Sequence, residues 1–142
     1  MTVLIDDHLL RDWLAGPDDA LGGAVGAESI ATTNLWYARL CKSAARQRGG
    51  ALLGGWGEDE RDAIVRGLVA LPSAITVLPM RELAWRMGVL VSEHAGLSTL
   101  GAEAVAAAQA LGARLLVSSR DDGPGIKACC RSVGVGYQTL TR

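Results

Sequence analysis

Short apolar runs without polar alternation recur along this chain, each set off by helix-forming sequence. They are "TVLI" at 2–5, "AITVLP" at 74–79, "ARLLVSS" at 113–119 and "VGYQTL" at 135–140, and "ESIATT" at 28–33 offers a further short strand. A strand that is apolar on both faces needs a covering layer on each side. Strands separated by helices are joined by crossovers, which run neighbouring strands in the same direction. The pattern therefore predicts an α/β protein, a three-layer α/β/α sandwich on a mostly parallel sheet of four to five strands. At 142 residues the chain is expected to form a single domain, 1–142, around one core.

The helices follow from spacing and punctuation. Asp6 or Asp7 caps a helix carrying Leu9, Leu10, Trp13 and Leu14, which Gly16 and Pro17 terminate. The glycine-rich stretch 21–28 reads as a loop. A helix is expected over roughly 33–48, with Leu35, Trp36, Ala38, Leu40 and Ala44 inside, followed by a flexible connection at 48–58. The next helix, about 58–70, carries Ile64, Val65, Leu68 and Val69. From Met80 a strongly amphipathic helix presents Leu83, Ala84, Met87, Leu90 and Val91 on one face. Ser98 or Thr99 caps an alanine-rich helix over about 100–111, which Gly112 ends, and a short helix is expected at about 125–132.

Composition narrows the function. The chain is 49% apolar but contains no Phe, so a close-packed core of small side chains is expected, with Trp13, Trp36, Trp56 and Trp85 as its bulky members. A net charge of −1 gives no drive toward nonspecific nucleic-acid binding, which would need a local basic patch. Cys41, Cys129 and Cys130 make a poor disulfide framework and suit a reducing cytoplasm, with one thiol of the Cys129–Cys130 pair buried and the other exposed. His8 and His94 are isolated and offer no zinc pattern. Neither GxGxxG nor GxxxxGK[ST] opens a helix, and no apolar run is long enough to cross a membrane. The expectation is a cytoplasmic protein.

The element order and three stretches resemble the PIN domain, the metal-dependent nuclease fold of many bacterial toxin ribonucleases. "VLIDDHLLRDWLAG" is similar to that family's opening strand, first aspartate and first helix. "GLSTLGAEAVAAAQALGARLLVSSRDD" is similar to its C-terminal helix–strand unit, and "LPSAITVLPMRELAWRMGVLVSEH" fits the strand and helix before it. The resemblance implies three or four acids holding Mg²⁺ or Mn²⁺, since hard cations need several oxygen ligands and can activate water for phosphodiester cleavage. Carried over position by position, the first acid is Asp6. The second has no counterpart, because no Asp or Glu lies between Glu28 and Glu58. The third position holds Gly101 and the fourth Ser119. Glu103 is two residues past the third position, about 200° around the helix, and should face away from Asp6. Asp121, in the "RDDGPG" turn, is the one possible substitute ligand.

The resemblance thus implies a domain that has lost most of its metal-binding carboxylates: a pseudoenzyme acting as a non-catalytic binding or regulatory module, with no metal or other cofactor. Its partner would be a protein or a second copy of the chain, a homodimer joined through the helices near 58–70 and 80–92. The alternative is a toxin-type, Mg- or Mn-dependent ribonuclease with a rearranged site using Asp6 and Asp121. A weaker alternative is RNA binding without cleavage. It rests on Arg39, Lys42 and Arg46, which form one basic stripe at i, i+3 and i+7, continued by Arg48. In the pseudoenzyme reading Asp6 meets few like charges, and Arg39 or Arg120 pairs with it. Asp6→Asn then costs only what a helix cap is worth, about 1 kcal/mol.

Overall fold

The computed structural model describes residues 1–46 and 49–142. Its sheet takes strands β1 (Thr2–Ile5), β2 (Ser29–Thr32), β3 (Thr76–Val77), β4 (Arg114–Ser118) and β5 (Tyr137–Leu140) in the order β3-β2-β1-β4-β5. Every pairing is parallel. β1 is central, with Val3 opposite Ile30 on one side and Arg114 on the other. Side chains alternate between the faces as a strand requires. Leu4, Ala31, Leu115 and Val117 enter one core, while Val3, Ile5, Ile30 and Leu116 enter the other.

Helices cover both faces, giving the three-layer architecture expected from the apolar strands. The first core is closed by α6 (Met80–Glu93), α7 (Thr99–Leu111) and α8 (Pro124–Val133), through Leu83, Met87, Leu90, Ala104 and Cys129. The second is closed by α1 (Asp7–Ala15), α2 (Asp19–Val25), α3 (Asn34–Ala44), the single turn α4 (Gly50–Leu53) and α5 (Glu58–Val69). Leu9, Leu10, Leu21, Leu40, Ile64 and Leu68 are its main contributors.

Helix α7 is buried from Gly101 to Ala108 and touches α3, α6 and α8 as well as the sheet. Its alanines permit that close approach from several sides. Glu103 is the one charge in this buried run, and it caps α3. Its carboxylate accepts the backbone N–H groups of Asn34 and Leu35, each at 2.8 Å, and the Asn34 amide at 2.7 Å. Thr33 Oγ1 accepts from Trp36 N at 3.1 Å, so the opening donors of α3 are all satisfied. Each such charge-assisted bond contributes about 1.5–3 kcal/mol. The alanine-rich helix thereby fixes where α3 starts.

Several expectations need correction. Residues 21–25 of the glycine-rich stretch belong to α2, because Asp18 accepts from Leu21 N at 2.8 Å and Leu21 and Val25 are buried one turn apart. The expected helix 33–48 ends at Ala44, and the connection after it contains α4. The strand expected at 74–79 pairs only at Thr76 and Val77. Trp36 is buried and Trp13 and Trp56 are half-buried, but Trp85 is 86% exposed. Ala84 and Val91 also face out, so the core face of α6 is the narrower Leu83–Met87–Leu90 stripe. Both Cys129 and Cys130 are fully buried, since α8 packs that edge against the first core. Among the described residues no helix is long and apolar enough to cross a membrane.

Candidate functional site

The central strand β1 delivers its last residue to the C-terminal edge of the sheet, the edge where open parallel sheets place their sites. Asp6 stands there, fully buried, as the N-cap of α1. One carboxylate oxygen accepts Leu9 N at 2.9 Å. The other accepts both the backbone N–H and the hydroxyl of Ser118, at 2.8 and 2.6 Å, from the end of neighbouring β4. The cap and the candidate ligand are therefore the same residue, and no cation pairs with it among the described residues.

Asp7 opens the first turn of α1 and is also fully buried. Its carboxylate accepts Arg39 Nη2 at 2.9 Å and, more closely, Arg39 Nε. Arg39 reaches over from α3, and the same guanidinium also donates to both Asp121 oxygens at 2.7 Å. His8 Nδ1 lies 3.0 Å from Asp7 and 3.4 Å from Asp121. Asp6, Asp7, His8 and Asp121 each place a ligand atom within 4.8 Å of the others. The arginine and the histidine thus neutralise two of the three acids.

The electrostatics follow from this geometry. Burial pushes the Asp6 carboxyl up to about 7, against the hydrogen bonds from Ser118 and Leu9, with repulsion from Asp121 adding least. Burial alone would pull His8 down, but hydrogen bonds to Asp121 and Asp7 and the surrounding negative charge raise it to about 9. Asp121 is also held against the effect of burial. Its contacts with His8 and Arg39 keep it well below the ordinary carboxylate range.

A hard divalent cation needs several free oxygens. With Arg39 in place, the oxygens of Asp7 and Asp121 already accept strong N–H donors, and those of Asp6 already accept three donors from Ser118 and Leu9. The residues present do not fit Mg²⁺ or Mn²⁺ in this arrangement.

The other sequence-derived candidates are placed differently from the expectation. Gly101 lies in the buried first turn of α7, where an added Cβ would come within 3.0 Å of Leu97, 3.3 Å of Ser98 Oγ and 3.6 Å of Ile126. Ser119 is exposed and exchanges hydrogen bonds with the Arg142 backbone, at 3.0 and 3.1 Å. Its neighbour Ser118, not Ser119, faces Asp6. Arg39 pairs with Asp7 and Asp121, not with Asp6, and Arg120 is exposed at the rim. Lys42 and Arg46 line a cavity of about 380 Å³ next to the acids, together with His8, Arg39, Arg120 and Asp121. Arg48 lies outside the described residues. Asp7 and His8 are the site residues that the sequence reading missed. The signal was available: they directly follow the capping aspartate on a first helical turn at the sheet edge.

No family model matches the sequence, and no curated protein matches it. Solved structures do. The chain is similar to VapBC-1 from nontypeable Haemophilus influenzae, at 16% identity over 98% of each chain with a TM-score of 0.59. It is similar to a toxin–antitoxin complex from Klebsiella pneumoniae, at 20% identity over 87% of this chain and 92% of that one, with a TM-score of 0.58. FitAcB from Neisseria gonorrhoeae matches at 14% identity over 96% of each chain, with a TM-score of 0.54. With the all-parallel β3-β2-β1-β4-β5 sheet, these likenesses define the fold as PIN-like.

The shifted groups set the pH dependence of stability. Asp6 is raised above its ordinary 3.8 to about 7, so between those values the folded state holds a proton the unfolded chain has released. His8 is raised from 6.5 to about 9 and does the same over that interval. Both make stability fall as pH rises. Asp121 acts in the opposite sense, and its contribution is lost on acidification below its ordinary 3.8. Urea unfolding midpoints are expected to peak near about pH 4 and decline toward pH 9. His8→Gln should flatten the decline above pH 6.5, and a wild-type midpoint that rises from pH 7 to 9 contradicts the assignment.

Proposed function

We propose that this PIN-like chain is a non-catalytic binding or regulatory module of the cytoplasm, whose acidic site is filled by its own arginine. The observation that carries this reading is the Arg39 guanidinium spanning Asp7 and Asp121, where the fold's chemistry would call for a metal ion. The positions that should supply further carboxylates hold Gly101 and Ser119, neither of which carries an acid, and the Ser119 hydroxyl bonds to the Arg142 backbone.

The partner in this reading is a protein, the chain itself in the first instance. The Klebsiella structure is a toxin–antitoxin complex, which supports a protein-binding role for the same fold. On this chain, Val65 and Val69 of α5 are 37% and 84% exposed and lie beside Cys41, Ala44 and Ala45 of α3 in a shallow apolar groove. Exposed apolar surface of this kind marks interaction sites. A dimer is expected in light scattering, and a monomer at high protein concentration removes self-association from the proposal.

One observation favours a second reading, a toxin-type ribonuclease dependent on Mg²⁺ or Mn²⁺. Asp6, Asp7, His8 and Asp121 do converge within 4.8 Å, so a conformation that withdraws Arg39 would expose a set of ligands. RNA cleavage separates the two. The wild type is expected to leave a mixed-sequence RNA intact with Mn²⁺ present. Asp6→Asn should leave binding unchanged while lowering stability by about 1–3 kcal/mol. That exceeds the cap-sized cost expected from sequence, because an amide cannot accept from Leu9 N and Ser118 N on both sides. Wild-type cleavage that disappears in Asp6→Asn establishes the nuclease instead.

A further inference from the structure

The 380 Å³ cavity beside the acids is framed by cations of two kinds. Arg39 and His8 are engaged by Asp7 and Asp121. Lys42, Arg46 and Arg120 also line the cavity, are exposed, and form no ion pair with an acid among the described residues. We propose that this cavity binds a small ligand carrying a di- or triphosphate on an apolar-faced body, a nucleoside polyphosphate.

Three features carry the assignment. First, three uncommitted positive charges around one concavity match a ligand bearing three to four negative charges. In a chain of net charge −1 this concentration is local, not a property of the whole surface. Second, the lining also has an apolar part, formed by Ala51 and Leu52. A volume near 380 Å³ lies in the range of small-molecule sites. Third, the wall is built. Ser43 donates to Gly49 O at 2.6 Å and accepts from Leu52 N at 3.0 Å, clamping the turn at α4 against α3. Gly49 and Gly50 take φ of 79° and 56°, and a Cβ on Gly50 would meet Ser43 Oγ at 2.8 Å. Glycine at both positions lets the turn close down on the serine.

A single-stranded RNA would instead need a charged track extending over successive phosphates, with aromatic faces on which bases stack. Among the described residues, no aromatic side chain lines this cavity. The proposal goes beyond the reading of the acidic site and does not depend on it, since the cations it uses are not those that hold Asp7 and Asp121.

The test is calorimetric titration of the full chain with ATP, with inorganic triphosphate and with an RNA of about 12 nucleotides, the span over which a polymer would show its advantage. Each titration is run in EDTA, so that metal binding at the acids has no part in the outcome. ATP is expected to bind one to one with a Kd below about 100 µM, and inorganic triphosphate more weakly because it leaves the Ala51–Leu52 wall uncovered. Lys42→Ala and Arg120→Ala, both on exposed side chains that leave folding intact by circular dichroism, should each weaken ATP at least tenfold. Lys42→Arg should restore it. Absence of saturable ATP binding, unchanged affinity in both alanine variants, equal affinity for inorganic triphosphate, or tighter binding of the RNA each overturns the proposal.

Discussion

A carboxylate buried without a cation must be surrounded by N–H and O–H donors, or the energy lost on leaving water is not recovered. Asp6 meets that requirement with three donors drawn from two elements: Leu9 N from the first turn of α1, and Ser118 N and Oγ from the end of β4. The central strand, the first helix and the neighbouring strand are therefore locked at one point. That lock sets the direction of α1, and so places Asp7 and His8 where the Arg39 guanidinium and the Asp121 loop can reach them. The layout of the site follows from how one buried acid is satisfied.

The consequence for chemistry lies in charge balance. Three acids share a small volume with Arg39 and a His8 raised to about 9, so the cluster is close to neutral once burial has raised Asp6 to about 7. A cluster that needed an external dication would keep its carboxylates unpaired and facing one another. Here the guanidinium fork supplies two-sided neutralisation, a geometry that arginine provides and lysine does not. Glu103, the remaining buried acid near α3, is committed to the N–H groups of Asn34 and Leu35.

Much of the architecture was legible in the chain. The strands at 2–5 and 113–119 announced a sheet buried on both faces, the one at 135–140 forms its half-exposed edge, and Ser98 and Gly112 marked the two ends of α7. What escaped was set by partners distant in sequence. α2 was hidden because glycines outweighed the Asp18 cap and the Leu21–Val25 spacing, and burial against the second core makes up the difference. Trp85 faces out because only a narrow stripe of α6 meets α7, which bulk and hydrophobicity do not reveal. The acid-free α3 drew attention to its basic stripe, but the sequence could not show that its Arg39 turns to Asp7 and not to Asp6.

The measurement that bears most directly on this account is calorimetric titration of Mn²⁺ into the wild type and into Arg39→Ala. If the arginine fills the site, the wild type shows no stoichiometric binding tighter than about 10 µM, a threshold set against the need for several free oxygen ligands. The variant, with Asp7 and Asp121 released, binds one Mn²⁺ more tightly than the wild type and is stabilised by it. Tight stoichiometric binding by the wild type, unchanged in the variant, contradicts the account.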